Sequence, residues 1–226
     1  SLRRRQRQMC IRDRISSGYS DFDQMTSGFH ESDLVILAAR PAMGKTAFAL
    51  NIALNAAMKS NKAVLLFSLE MSSSQLLQRL LAIDAGIALQ KIRNGFLDPD
   101  DWGKLGLSSM RLSNSEINIA DLPNVNVLEI RAIARRLKAA GKLDMIIIDY
   151  LQLIRGSSSK GDNRQQEISE ISRALKGIAR ELDIPVIALS QLSRAPEMRS
   201  DRRPMLSDLR AVSYTHLRAH ETRSNL

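Results

Sequence analysis

A chain of 226 residues with 44% hydrophobic and 4% aromatic content can bury one sizeable α/β core, with little left for a second. Charges interrupt every apolar run short of a bilayer span, and the single Cys10 excludes both an internal disulfide framework and a multi-cysteine metal site. The net charge of +9 argues weakly for a nucleic-acid surface, because residues 1–14 alone carry +5, residues 211–226 carry +1 and the body carries only +3.

In chain order, "SLRRRQRQMCIRDR" (1–14) reads as a basic arm or disordered tail, with no apolar block after its arginines to make a secretory leader. "DLVILAA" (33–39) predicts a strand, and "GKTAFALNIALNAAMK" (44–59) a helix with apolar positions spaced by three and four. Between them runs Ala39-Arg40-Pro41-Ala42-Met43-Gly44-Lys45-Thr46, a phosphate-binding loop in the strand–loop–helix context the motif requires. Backbone N–H groups and the helix N-terminus there can surround a polyphosphate. Lys45 can reach the outer phosphates, and the Thr46 hydroxyl can serve Mg²⁺. Alanine at position 39 replaces the usual first glycine; it is small enough, provided its φ stays negative.

"KAVLLFSLE" (62–70) predicts the next strand, closing on Glu70. A carboxylate there could polarise the water that attacks a γ-phosphate; a solvated Glu capping the next helix fits the spacing equally well. That helix, 72–86, takes Ser72 as its cap and Gly86 as its stop. Residues 88–128 read as short helices followed by a strand or loop, and 127–142 as a strongly periodic helix ending at Gly141. "LDMIIIDYLQLI" (143–154) predicts a buried strand carrying Asp149 after four apolar residues, a form suited to holding Mg²⁺ directly or through water. A Gly/Ser-rich loop (156–163), a helix (164–183) and a strand (184–191) complete the order. Gln191 closes the last strand, where an amide can sense γ-phosphate loss or merely mark a strand exit.

Apolar strands alternating with helices imply an α/β fold, a mainly parallel sheet with helices on both faces. Such sheets bind ligands beyond the carboxyl ends of their strands, where all the chemical candidates fall.

The blocks "GYSDFDQMTSGF", "ARPAMGKTAF", "LLFSLEMSSSQL", "EIRAIARRLK", "IIIDYLQLI", "NRQQEISEISRALKGIARELDIPVIALSQLSR" and "RRPMLSDLR" together resemble the C-terminal motor domain of the bacterial replicative DNA helicase (DnaB) family, from about Ser17 to Arg210. In that family the phosphate loop commonly begins with Ala. The resemblance implies a RecA-like P-loop NTPase fold, a homo-hexameric ring translocating on single-stranded DNA, and ATP and Mg²⁺ as ligands; the single cysteine and the lack of a bilayer-length apolar run make a cytoplasmic, membrane-free setting the default expectation. Primase and a helicase loader are the further partners it implies for the full-length protein. It assigns catalysis to Glu70, Lys45 and Gln191, nucleotide to residues 39–46, and metal to Thr46 and Asp149. The loop "RGSSSKGDN", the segment "RAPEMRSDRRPMLSDLR" and, within or beside them, Arg164, Arg194 and Arg210 correspond to DNA-contacting positions. Strand-exchange or clock-type RecA-like ATPases lack the combined "DYLQL" and "SQLSR" blocks; a non-catalytic nucleotide-binding assembly module is the alternative of another class.

Residues 1–14 and 211–226 do not resemble the family and are expected to be foreign or disordered tails around a RecA-like domain of residues 15–210, incomplete at its C-terminal end. The family's basic residue that reaches a neighbour's ATP site lies beyond the resemblance. The expectation is therefore a chain that binds Mg-ATP but turns it over slowly.

Overall fold

The computed structural model describes residues 14–154 and 164–192, with the side chains of 164–166 left aside. Its frame is a five-stranded, all-parallel sheet: β3 (Leu34–Ala39), β4 (Val64–Ser68), β5 (Ile117–Asp121), β6 (Met145–Asp149) and β7 (Val186–Gln191). The spatial order is β3-β7-β6-β4-β5, so the chain crosses over the sheet between successive strands. A separate two-stranded antiparallel ribbon joins β1 (Arg14–Ile15) to β2 (Phe29–His30). It flanks the short helix α1 (Ser20–Thr26).

β4 and β6 are buried at every position, and their alternate residues feed opposite faces. Leu65, Phe67, Ile146, Ile148, Val186 and Ala188 pack with Ile130 and Ala134 of α6 (Val127–Ala139) and with Ile171, Leu175 and Ile178 of α7 (Arg164–Leu182). Val64, Leu66, Met145, Ile147, Ile187 and Leu189 point the other way, onto α2 (Lys45–Leu54) and onto Leu76 and Leu80 of α3 (Ser73–Ala85). β3, at one edge of the described sheet, is only half-buried along its length.

Local chemistry sets the ends. Ser72 and Gln75 form a reciprocal capping box at the start of α3, and Gly86 ends it in the left-handed conformation at φ 67°, as expected. Asn126 and Glu129 cap α6 in the same reciprocal way, each backbone N–H bound by the other's side chain at 3.0 Å. The region 88–128 resolves into α4 (Leu89–Asn94), α5 (Pro99–Ser113) and β5.

Three elements differ from the sequence expectation. The helix expected over 44–59 is α-helical to Leu54 and then widens into a π-helical turn, Asn55–Lys59, where the Asn55 amide donates to the carbonyl of Ser17 at 2.9 Å. The strand expected to reach Glu70 stops at Ser68, because the Ser68 hydroxyl donates to the Met71 carbonyl at 2.5 Å and accepts from its N–H at 3.2 Å. That clasp turns the chain, so Glu70 sits in a turn beyond the strand. The strand expected over 143–154 ends at Asp149, followed across a cis peptide bond by Tyr150 and a single 3-10 turn, Leu151–Leu153. Leu151 and Ile154 are buried against the α6 and α7 face. Their apolar character thus comes from packing below the sheet, which a run of apolar letters cannot distinguish from strand.

Candidate nucleotide site

Pairing register brings the candidates to one edge. Ala39 lies opposite Gln191 across β3 and β7, and Ser68 lies opposite Asp149 across β4 and β6. The Leu69 N–H extends the second pairing by donating to the Asp149 carbonyl at 2.9 Å. With β7 seated between β3 and β6, the carboxyl ends of four strands share one rim.

Ala39 is a regular strand residue, so the condition on its φ is met. The special conformations come later in the loop: Ala42 has φ 64° and Gly44 φ 80°. Gly44 is the N-cap of α2, and Pro41, Ala42, Met43 and Gly44 are exposed, Met43 at 74%. A helix of this length beginning at Lys45 presents its free first-turn N–H groups and positive dipole end toward that loop. Arg40 braces the loop from the other side, donating to the Leu192 carbonyl at 3.0 Å, while the Leu192 N–H donates to the Ala39 carbonyl at 3.2 Å.

Thr46, in the first turn of α2, donates its hydroxyl to Asp149 Oδ2 at 2.7 Å. Asp149 is only 5% exposed, and its second oxygen, Oδ1, has no hydrogen-bond partner among the described residues. A buried carboxylate oxygen without a donor beside a hydroxyl is a hard-oxygen pair that fits Mg²⁺, which keeps several waters and takes few protein ligands. No cluster of three or more His, Cys, Asp or Glu able to hold a metal occurs among the described residues.

Lys45 is half-buried; its Nζ donates to the Ser190 carbonyl at 3.4 Å and stands 4.9 Å from the centroid of the Tyr150 ring. Burial pushes the pKa of Lys45 down, opposed by the carboxylates of Asp149 and Glu70. Burial pushes the Tyr150 phenol up, and Glu70 and Asp149 add to that rise. Glu70, exposed on its turn, therefore acts electrostatically on the same two side chains as Asp149. Gln152 ties the rim together, its amide nitrogen donating to the Ser190 hydroxyl at 3.0 Å and to the Gln191 carbonyl at 3.4 Å.

The loop 39–46, Asp149, Glu70 and Gln191 thus share the rim that the sequence reading expected. Arg164 begins α7, but its side chain is not described. Arg194, Arg210, the loop "RGSSSKGDN" and the segment "RAPEMRSDRRPMLSDLR" lie outside the described residues. Sequence reasoning about single residues missed Ser68, Tyr150, Gln152 and Ser190. Tyr150 and Gln152 were visible only as part of the "DYLQL" family block, and nothing in their spacing pointed to Lys45 or Ser190.

Comparison with known proteins bears on what this rim does. A family model described as the DnaB-like helicase C-terminal domain matches residues 14–214. The replicative DNA helicase DnaB of Geobacillus stearothermophilus is 58% identical over 196 residues, covering 87% of this chain and 43% of that protein. The replicative DNA helicase DnaB of Nostoc sp. is 54% identical over 198 residues, covering 87% of this chain and 22% of its own length. The chain spans less than half the length of these curated relatives. Among solved structures, one described as an ATPase domain superposes with a TM-score of 0.82 at 46% identity, covering 88% of this chain and 70% of that one. A DnaB-like replicative helicase, solved in a study of its interactions with primase, gives a TM-score of 0.83 at 45% identity, covering 88% of this chain and 48% of that one.

Proposed function

The chain belongs to the family of DnaB-like helicase C-terminal domains, and from that membership we propose that its rim is the Mg-ATP site of a replicative helicase motor. The observation that carries the reading is the 2.7 Å bond from Thr46 to Asp149, which joins the phosphate-loop helix to the acidic strand end beside Lys45. It is the arrangement that P-loop ATPases need for metal and phosphate together.

In this reading the backbone N–H groups of residues 39–46 and the N-terminus of α2 hold the phosphate chain, and Lys45 binds its outer oxygens. Thr46 and Asp149 hold Mg²⁺, which when bound supplies positive charge that offsets the charge building on the phosphate oxygens. Glu70 orients and polarises the attacking water from its turn beyond β4, accepting its proton. Gln191, paired to the loop through Ala39, senses the outer phosphate and passes its state to the segment that follows β7. Arg164, Arg194 and Arg210 contact the backbone of single-stranded DNA, whose phosphates attract arginine irrespective of sequence. The active form is a homo-hexamer in the cytoplasm, with primase and a helicase loader as partners of the full-length protein.

ATP turnover measured with and without single-stranded DNA, alongside sizing of the assembly, tests this reading. The expected result is magnesium-dependent nucleotide binding with slow turnover that DNA raises, residing in a six-subunit species. Nucleotide binding with no turnover under any DNA or assembly condition would instead favour a non-catalytic module.

A further inference from the structure

Lys45 faces a physical conflict that the rim has to resolve. Its side chain is half-buried, so the ammonium needs a seat within the rim, yet a lysine that binds phosphate has to keep its N–H donors free. A carboxylate clamped onto Nζ would keep the charge but would occupy the N–H donors that a phosphate needs. Among the described residues, the single hydrogen-bond acceptor of Nζ is the Ser190 carbonyl, at a long 3.4 Å. Beyond that long contact, the ammonium also faces the Tyr150 ring, whose centroid lies 4.9 Å from Nζ. That distance is within the range in which a ring quadrupole attracts a cation.

We propose that Tyr150 is a positioning residue for nucleotide binding, its ring face holding the Lys45 ammonium at the rim with its N–H donors left open to phosphate. The proposal rests on the reading of the rim as a Mg-ATP site. An aromatic face attracts a cation without accepting a directed hydrogen bond from it, so it restrains the ammonium and leaves its donors uncommitted. A lysine side chain also loses rotamer entropy when it is fixed, and a preformed seat removes that cost before the ligand arrives.

The ring is itself well held. Tyr150 follows directly on buried Asp149, packs with the α2 and α3 side of the core, and its carbonyl accepts from the Leu153 N–H at 3.1 Å as the 3-10 turn begins. Ser190, the other contact of Lys45, is fixed by the Gln152 amide at 3.0 Å. Tyr150 and Gln152, two positions apart on one short turn, thus hold the lysine's two supports.

The test replaces Tyr150 by Phe and then by phenylalanine analogues carrying increasing numbers of ring fluorines, which keep the shape and drain the negative face. Affinity for a fluorescent ATP analogue in Mg²⁺ is measured across the series, with thermal unfolding as a control for packing. The Phe variant is expected to bind as the unsubstituted chain does. Full fluorination is expected to weaken binding roughly threefold to thirtyfold, in steps that follow fluorine number, with an unchanged melting temperature. A flat series, or a Phe variant as weak as the fully fluorinated one, would overturn the role of Tyr150 while leaving the phosphate site standing. Failure of the unsubstituted chain to bind the analogue would overturn the site and this inference with it.

Discussion

Thr46 and Asp149, 103 residues apart in sequence, meet at 2.7 Å, and the other oxygen of the same buried carboxylate has no donor among the described residues. The pair is therefore both a structural tie and an unfinished one. Among the described residues, the Thr46 hydroxyl is the hydrogen-bond donor that Oδ2 has.

Thr46→Val keeps the side-chain shape and removes that donor. Leaving a buried carboxylate oxygen unsatisfied costs about 1–3 kcal/mol, which for a chain of this size lowers the melting temperature by several degrees. Asp149→Asn removes the charge that needed the donor and is expected to destabilise less. Both variants are expected to lose the Mg²⁺ enhancement of nucleotide affinity, read by titrating magnesium against the fluorescent analogue. A Thr46→Val protein with wild-type melting and wild-type magnesium response would contradict the pairing's role.

Glu70 sits on a turn clasped by Ser68 and faces the same electrostatic neighbourhood as Lys45. Glu70→Gln preserves size and removes the base. DNA-stimulated ATP turnover is expected to fall by roughly 10²–10⁴, the usual contribution of a positioned base, with nucleotide affinity unchanged or slightly tighter. Unchanged turnover would leave Glu70 as a solvated cap.

Two loop residues are expected to respond oppositely to a methyl group. Gly44 adopts φ 80° with open space around an added Cβ, so Gly44→Ala meets no clash but bears left-handed backbone strain of about 1–2 kcal/mol. Ala42 already carries that strain at φ 64°, and Ala42→Gly relieves it while adding unfolded-state entropy, for a net effect near zero or mildly stabilising. Denaturant unfolding of both variants reads the contrast; equal destabilisation would contradict the backbone assignment.

Asp23, within α1, anchors the segment that precedes that helix. Burial works to raise its pKa, but the hydroxyls of Ser16 and Ser17, at 2.6 and 2.7 Å, and the Ser17 N–H, at 2.9 Å, outweigh it and hold the pKa below the ordinary 3.8. A carboxyl whose folded pKa is depressed adds stability above its unfolded value and loses it as pH falls through the folded one. The parent chain is therefore expected to lose stability below pH 3.8 more steeply than Asp23→Asn does. Parallel acid limbs would remove Asp23 from that account.

The phosphate loop was legible because its chemistry is local: a strand, a turn and a helix start occupy consecutive residues, and Lys45 and Thr46 follow from position alone. Asp149 was legible as the end of a run of apolar residues. The strand order was not, since the placement of β7 between β3 and β6 depends on its pairing with β3, whose register partners, such as Ala39 and Gln191, lie 152 residues apart. The turn that carries Glu70 was hidden for a different reason. A serine's hydroxyl clasping a backbone three residues on leaves no periodic trace, and Ser68 reads as one more strand residue until its partners are seen. Tyr150 escaped because Lys45 opens α2 beyond the end of β3 and Tyr150 follows β6, and the two meet only because β7 alone lies between those strands.

The most direct test of the central claim is equilibrium binding of a fluorescent ATP analogue, in Mg²⁺, to the chain and to its Lys45→Ala variant. The site described predicts saturable, magnesium-dependent binding that Lys45→Ala weakens by roughly 10- to 100-fold, the worth of a charged hydrogen bond to phosphate. Equal affinity in the two proteins would contradict it.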